Sequence, residues 1–320
     1  MNTVPEGLQE SPALPANVAE SRWFAPDGWP IRRLDWPRPE RPRGALLFVS
    51  GRGDFPEKYL ETLDYWSGRG WEVTALDWRG QALSGRLGAD SVTGHVDDFS
   101  LWVGDLAAFW AEWSRDVSRP QVLAAHSMGG HLALRAVAES RVAPDALVLS
   151  APMLGLITHG LPLALFDWAA RLMCQSGDPR RPAWKWSEKP GQLPADRSAL
   201  LTHDAARYAQ ESAWRGARPG LVMGPGSWGW MRAAIASMRT LDRRETLQGV
   251  KTPTFIVATS ADRLVGAAAI RRAARWLPNC ELLEFGPEAR HEILREADPV
   301  RDRALSAIDD FLDRAAPRRN

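Results

Sequence analysis

Cysteine, lysine and tyrosine are all scarce in this chain of 320 residues, which has two Cys, three Tyr and only four Lys (Lys58, Lys185, Lys189 and Lys251). Two cysteines, Cys174 and Cys280, cannot build a disulfide framework and lie far from any metal-ligand spacing, so neither a stapled secreted fold nor a metal site is expected. The free thiols point to a reducing, cytoplasmic compartment. An excess of charge of one sign is missing too. With 40 Lys+Arg against 39 Asp+Glu there is no electrostatic reason to expect a nucleic-acid partner. At 45% hydrophobic residues the chain is also too apolar to be disordered. Residues Met1 to Glu20 carry no basic run ahead of an apolar core, so they read as a flexible lead-in and not as a signal peptide.

A clean membrane-spanning run is likewise lacking. Ala146 to Phe166 has no formally charged residue and would be long enough to cross a bilayer as a helix. Pro152, Gly155, His159, Gly160 and Pro162 interrupt it, and each would break the helix or bring polar atoms into lipid.

What the chain does have is tryptophan, 16 residues against 9 Phe and 3 Tyr, and a basic set that is almost entirely Arg. The Arg bias is uniform along the chain and reads as compositional. The pattern of short β-rich runs alternating with segments of helical period predicts a mostly parallel sheet flanked by helices. A hairpin spans Ser21 to Trp36. Strands are expected at Ala45–Ser50, Trp71–Leu76, Gln121–Ala125, Ala146–Ser150, Pro253–Thr259 and Glu281–Phe285. Helices are expected at Pro56–Arg69, Val96–Ser114, Gly129–Glu139, Gly266–Leu277 and Pro299–Ala315. The alternation stops between Pro152 and Gln248, a stretch rich in Trp, Pro, Gly and Arg with helical patches at Leu163–Met173 and Trp230–Met238. An insertion between two parallel strands lies at their carboxyl edge, where ligands bind. The expected organisation is a lead-in (1–20), a core (21–151 and 249–320) and a largely helical cap (152–248).

Chemistry concentrates at Ala125-His126-Ser127-Met128-Gly129-Gly130, between an apolar strand and a helix. Small residues two before and two after a serine allow the sharp strand-to-helix turn of a nucleophile elbow, and the helix behind Ser127 offers free N–H groups to an oxyanion. A serine hydroxyl needs a base and an acid that orients the base, and in this arrangement they follow in the order Ser, acid, His. His291, between the last strand and the last helix, is the expected base. His203 reads as a cap residue, His126 and His131 as packing residues, and His95 and His159 as poorer candidates. Asp262, just after the strand ending at Thr259, is the expected acid. Its other reading is an N-cap for a helix near Val265, and Glu288 is the reserve acid. The turn Ser50-Gly51-Arg52-Gly53 can supply a second oxyanion N–H from Arg52 beside that of Met128. Phosphate-loop and dinucleotide spacings are absent, and no cofactor or metal is expected.

Together these residues resemble the α/β-hydrolase superfamily, and more narrowly the bacterial lysophospholipase and monoacylglycerol lipase family, also called serine-aminopeptidase-like hydrolases. The resemblance runs from about Ser21 to Ala315. It is carried by Gly51-Arg52-Gly53-Asp54-Phe55-Pro56-Glu57-Lys58-Tyr59, Asp77-Trp78-Arg79-Gly80-Gln81, Gly94-His95-Val96-Asp97-Asp98-Phe99, the Ser127 elbow, Asp262, His291-Glu292, and in the cap Leu201-Thr202-His203-Asp204 and Gly229-Trp230. It implies an α/β-hydrolase fold with an inserted cap, Ser127 as nucleophile, Asp262 as acid, His291 as base and Arg52 and Met128 as oxyanion donors. Ser50 and Ala125 stand where the family usually has His and Gly.

Two function classes are carried forward. One is a capped serine esterase whose small-molecule substrate is a lipid-like ester, with Trp184, Trp186, Trp228 and Trp230 as substrate contacts and the cap touching a membrane surface transiently. The other is a binding protein that kept the fold and lost turnover, or, within enzymes, a short-chain or amide hydrolase.

Overall fold

The computed structural model describes residues 12–158, 160–185 and 195–318. Most of the expected lead-in, His159 and Trp186 lie outside the described residues, and residues 19 and 20 already belong to the first strand.

Eight strands form one sheet: β1 (Ala19–Phe24), β2 (Pro30–Asp35), β3 (Gly44–Val49), β4 (Trp71–Leu76), β5 (Gln121–His126), β6 (Ala146–Ser150), β7 (Thr254–Thr259) and β8 (Cys280–Phe285). Their order is β1-β2-β4-β3-β5-β6-β7-β8, with β1 and β2 antiparallel and the other neighbours parallel. The helices are α1 (Leu60–Gly68), α2 (Ser100–Asp116), α3 (Ser127–Ala138), α4 (Leu163–Gln175), α5 (Ala195–Leu201), α6 (Ala205–Ala217), α7 (Trp228–Leu241), α8 (Arg244–Gln248), α9 (Ala267–Trp276) and α10 (Asp298–Ala315). This is the α/β-hydrolase fold.

The central strands are unbroken apolar runs because both faces of a parallel sheet are covered. In β3 the period of two divides the run: Ala45, Leu47 and Val49 face the core under α2, α3, α7 and α9, while Leu46 and Phe48 face the core under α1 and α10. Tryptophan fills both layers. Trp66, Trp71 and Trp102 are among the largest fully buried side chains, and several indoles also pin loops: Trp102 Nε1–H donates to Arg79 O (2.9 Å) and Trp78 Nε1–H to Ser50 O (2.8 Å).

Between β6 and β7 the chain adds α4 to α8 and no further strand among the described residues. Several helix starts differ from the sequence expectation, α1 and α3 among them, and two of the others have evident local causes. α2 begins at Ser100 instead of Val96, where the Asp98 carboxylate accepts from Ser100 N–H (2.7 Å). α7 begins two residues early because Ser227 Oγ caps it, accepting from Trp230 N–H (3.0 Å). The interrupted run 146–166 splits into strand, turns and the start of α4. Among the described residues no helix is long and apolar enough to cross a membrane.

The β1–β2 hairpin is tied to the carboxyl edge by a buried ion pair network. Arg32 of β2 donates to Glu57 Oε1 (2.6 Å) and Oε2 (3.0 Å) and to Asp77 Oδ2 (2.9 Å) and Oδ1 (3.0 Å), and Arg218 reaches Glu57 Oε1 at 3.0 Å. Removing Arg32 strands two buried carboxylates. Arg32→Met is therefore expected to cost about 3–5 kcal/mol of unfolding free energy in a urea titration, whereas Arg33→Met, at a half-exposed pair, should cost about 1 kcal/mol or less.

Candidate active site

Ser127 sits at φ 52°, in the left-handed region, between β5 and α3. That turn presses α3 onto the end of β3. A side chain at Gly129 would place its Cβ 2.3 Å from Ser50 O and 2.8 Å from Val49 O, so only glycine fits there. Ala125, two residues before the serine, is accommodated in the core. Ser127 and Met128 open α3, where first-turn N–H groups have no acceptor within the helix.

His291 bridges the expected acid and nucleophile. Its Nε2 lies 2.9 Å from Ser127 Oγ and its Nδ1 2.7 Å from Asp262 Oδ2. Asp262 divides its two oxygens. Oδ1 accepts from the N–H groups of Leu264 (2.8 Å) and Val265 (3.0 Å), the capping role that was its other reading, although α9 itself starts only at Ala267. Oδ2 is left for the histidine. Burial opposes charge on His291, but the Asp262 carboxylate outweighs it and raises the imidazole above its ordinary value. Burial likewise opposes the charge on Asp262, and the His291 ring and the two backbone donors outweigh it and hold its carboxyl low. With Asp262 ionised, His291 carries its proton on Nδ1 and presents a bare Nε2 to the serine hydroxyl.

The loop after β3 approaches the same point. A Cβ on Gly51 would stand 3.0 Å from Ser127 Cβ. The loop is held by Gly53 N–H donating to Gln81 Oε1 (2.8 Å), Gly51 N–H donating to Asp54 Oδ2 (3.3 Å) and the Trp78 indole on Ser50 O. Arg52 stacks its guanidinium over Trp184 (5.2 Å) and Trp230 (5.1 Å) and donates to Gly224 O (2.7 Å).

Ser127, His291 and Arg52 border a cavity of about 360 Å³, within the range of small-molecule sites. Its lining includes the apolar side chains of Met153, Leu156, Leu163, Phe166, Met231 and Leu264. It also includes Arg52, Arg197, Trp184 and Trp230. Of the four tryptophans expected to meet substrate, Trp184 and Trp230 thus line this space. Trp228 faces a separate outer depression with Arg181 and Pro182, and Trp186 lies outside the described residues. The reserve acid Glu288 is exposed and accepts from Gly286 N–H (3.1 Å). His203 pairs with Glu296 (3.0 Å), His95 with Ser227 (2.7 Å) and His131 with Ser237 (2.6 Å), all in packing roles. His126 is buried and packed beside Tyr59, as expected, and has a further position at the site. It lines the cavity with its ring 4.8 Å from that of His291, and burial, reinforced by that neighbour, depresses it to about 4.

The family model described as "Serine aminopeptidase, S33" matches residues 40–298. The chain belongs to this family. It is 29% identical over 314 residues to a protein named lysophospholipase L2 from Escherichia coli, covering 92% of this chain and 87% of that one. It is 25% identical over 274 residues to a probable lysophospholipase L2 from Haemophilus influenzae, covering 84% of each. A crystal structure of a soluble variant of monoglyceride lipase from Saccharomyces cerevisiae shares the fold, with a TM-score of 0.72 at 21% identity over 98% of this chain and 99% of that one.

Within this S33-family frame several residues at the site had no role in the sequence reading. Gln81 holds the loop after β3. Lys58 and Glu292, quoted only as matching motif letters, lie in a buried charge cluster with Asp54, and Glu211 joins them from α6. Nothing in the local sequence pairs positions 58, 211 and 292. Their only advance signal is that charged residues stand in otherwise apolar or motif-bearing segments.

The raised His291 imidazole has a direct kinetic consequence. As the expected base, His291 would accept the serine proton only when neutral, so kcat/KM should fall with decreasing pH through an apparent pKa above 6.5, the ordinary histidine value, and level off above it. Asp262→Asn removes the main group raising that value and favours the wrong tautomer. We expect its acid limb at lower pH and its plateau reduced by about 10⁴-fold, measured on a soluble p-nitrophenyl ester.

Proposed function

We propose that this chain is a capped serine hydrolase that cleaves carboxylic esters of lipids, lysophospholipids or monoacylglycerols, through an acyl-enzyme on Ser127. The observation carrying this reading is the chain Ser127–His291–Asp262 opening into a cavity with a largely apolar lining. The names of the two lysophospholipase relatives support the ester and lipid assignments. Residues 152–248 act as the cap.

His291 Nε2 takes the Ser127 proton as Oγ attacks the ester carbonyl. The backbone N–H groups of Arg52 and Met128 receive the oxyanion, a pair in which each donor is worth about 3 kcal/mol of barrier. His291 then returns the proton to the departing glycerol oxygen. Water attacks the acyl-enzyme with His291 again as base, releasing the fatty acid and restoring Ser127. Asp262 stays ionised throughout and holds the imidazole in the required tautomer.

Aminopeptidase chemistry, which the family description names, fits the cavity less well. A substrate ammonium would meet Arg52 and Arg197, and the lining carboxylates Asp54 and Glu292 are already engaged by Lys58. The same cations suit a phosphodiester head group.

α4 supports contact with a lipid surface. Its inner residues Leu163 and Phe166 line the cavity, while Leu165, Trp168 and Leu172 form an outward stripe with Leu161 just before it, each at least 45% exposed. Such a stripe places lipid-compatible surface next to the substrate chamber. The enzyme works from a reducing compartment, in keeping with its two free thiols.

A substrate panel tests the assignment. Wild type should hydrolyse long-chain p-nitrophenyl esters, lysophospholipid and monoacylglycerol in preference to acetyl esters and aminoacyl anilides, and Ser127→Ala should lose nearly all turnover. Trp184→Ala and Trp230→Ala should alter chain-length preference, with Trp228→Ala unchanged. A preference for acetyl esters or anilides would overturn the lipid reading. For the surface contact, Leu165→Ser/Trp168→Ser should bind anionic vesicles several-fold more weakly and slow on vesicle-borne substrate, while keeping wild-type rates on p-nitrophenyl butyrate.

A further inference from the structure

Behind the triad lies a second set of charges that the reaction itself does not use. Lys58, in the turn after the Arg52 loop, is buried and reaches three carboxylates: Asp54 Oδ1 at 2.5 Å, Glu292 Oε1 at 2.5 Å and Glu211 Oε2 at 3.0 Å. Those acids come from three separate parts of the chain. Asp54 ends the loop that holds Arg52, and its other oxygen accepts from Tyr59 O–H (2.8 Å) and Gly51 N–H. Glu292 follows the expected base His291. Glu211 sits on α6 of the cap and is also paired with Arg215 (2.7 Å). Arg295 closes the cluster by pairing with Glu292. In a chain whose basic residues are otherwise nearly all Arg, this position carries one of the four lysines, a compact ammonium able to sit among three carboxylates.

We propose that Lys58 is a positioning residue for the triad: its ammonium locks the Arg52 loop, the His291 loop and cap helix α6 into one arrangement and balances the carboxylates that face His291. The proposal rests on the assignment of Ser127 and His291 as nucleophile and base.

The surroundings of His291 fix the sign of the effect. Around it are Asp262 from the loop after β7, Glu292 on its own loop, Asp54 from the segment after β3 and His126 from β5, with Arg52 and Arg197 lining the same cavity; Lys58, Tyr59 and Arg295 stand behind these, paired with Asp54 and Glu292. His126 stays neutral, depressed to about 4 by burial, and Tyr59 stays neutral because burial and Asp54 raise it. Burial disfavours the charges of Asp54 and Glu292, yet Lys58 overcomes this and both carboxyls are held at about 2, so both are ionised at neutral pH. In the cluster Asp54, Glu211 and Glu292 are matched by Lys58, Arg295 and Arg215. Loss of Lys58 leaves one uncompensated negative charge beside the imidazole and favours its protonated form. Loss of the Glu292 charge does the reverse.

The pH dependence of fluorophosphonate labelling of Ser127 reads this directly, because labelling needs the serine and its base but no lipid. Lys58→Met should move the acid limb of the labelling rate up by about one pH unit, so that much of the lost rate returns at alkaline pH. Lys58→Arg, which keeps the charge, should restore the wild-type limb. Glu292→Gln should move the limb down, and it decides the matter should Lys58→Met fail to fold. Limbs that coincide with wild type in Lys58→Met or Glu292→Gln, with the rate reduced equally at every pH, would overturn the proposal. A wild-type protein that is not labelled at all would overturn the assignment of Ser127 and His291 instead.

Discussion

The close approach of the Ser127 turn to the end of β3 is the constraint on which the site depends. A serine at φ 52° is backbone strain, and it persists because the surrounding core over-determines it. Gly129 lies against two carbonyls of the neighbouring strand, and the loop leaving that strand is itself anchored by Trp78 and Gln81. Moving α3 outward by the width of a methyl group would separate the Ser127 hydroxyl from His291 and the Met128 N–H from the Arg52 loop together. The geometry is therefore a property of the parallel strands β3, β5 and β7, with β6 between the last two, whose carboxyl ends deliver Arg52, Ser127 and Asp262 to one edge.

That arrangement was largely legible in the residues because it is local. Each strand is a short apolar run, each reactive residue follows its strand within a few positions, and the small residues around Ser127 announce the turn. What was not legible is long-range. Asp54, Lys58, Glu211 and Glu292 converge from three segments far apart in the chain, and ion pairing across such separations leaves no period or spacing in the sequence. His126 was read as packing because a histidine preceding the serine gives no hint of which face of β5 reaches the cavity. Within the insertion, α4 and α7 announced themselves by apolar spacing, whereas α5 and α6 are more polar in composition and are held by polar contacts together with a few buried side chains, Leu201, Tyr208 and Trp214.

The tryptophan excess resolves along the same division. Most of the described indoles are buried core fillers, and several indoles, the half-buried Trp29 and the buried Trp78 and Trp102 among them, also fasten a neighbouring loop through the ring N–H. Among the described tryptophans only Trp184 and Trp230 reach the cavity, and there they flank the Arg52 guanidinium. Aromatic abundance in this chain is thus chiefly a matter of architecture.

The two ends of the insertion are attached to the core in unlike ways. Around α4 the surface is apolar and open. Around α5 and α6, His291 N–H donates to Leu200 O (3.4 Å) and Glu292 N–H to Leu201 O (2.8 Å), Thr202 Oγ1–H donates to Arg295 O (2.7 Å), and Arg290 reaches Ser198 O (3.1 Å) and Thr202 O (2.7 Å). The buried Glu296 carboxylate accepts from His203 N–H (3.0 Å) and Arg290 N–H (2.8 Å). The insertion and the histidine loop are consequently joined by hydrogen bonds. Cutting out residues 152–248 would not leave a simpler hydrolase with an open door, because it would also remove the hydrogen-bond partners of the loop that carries His291.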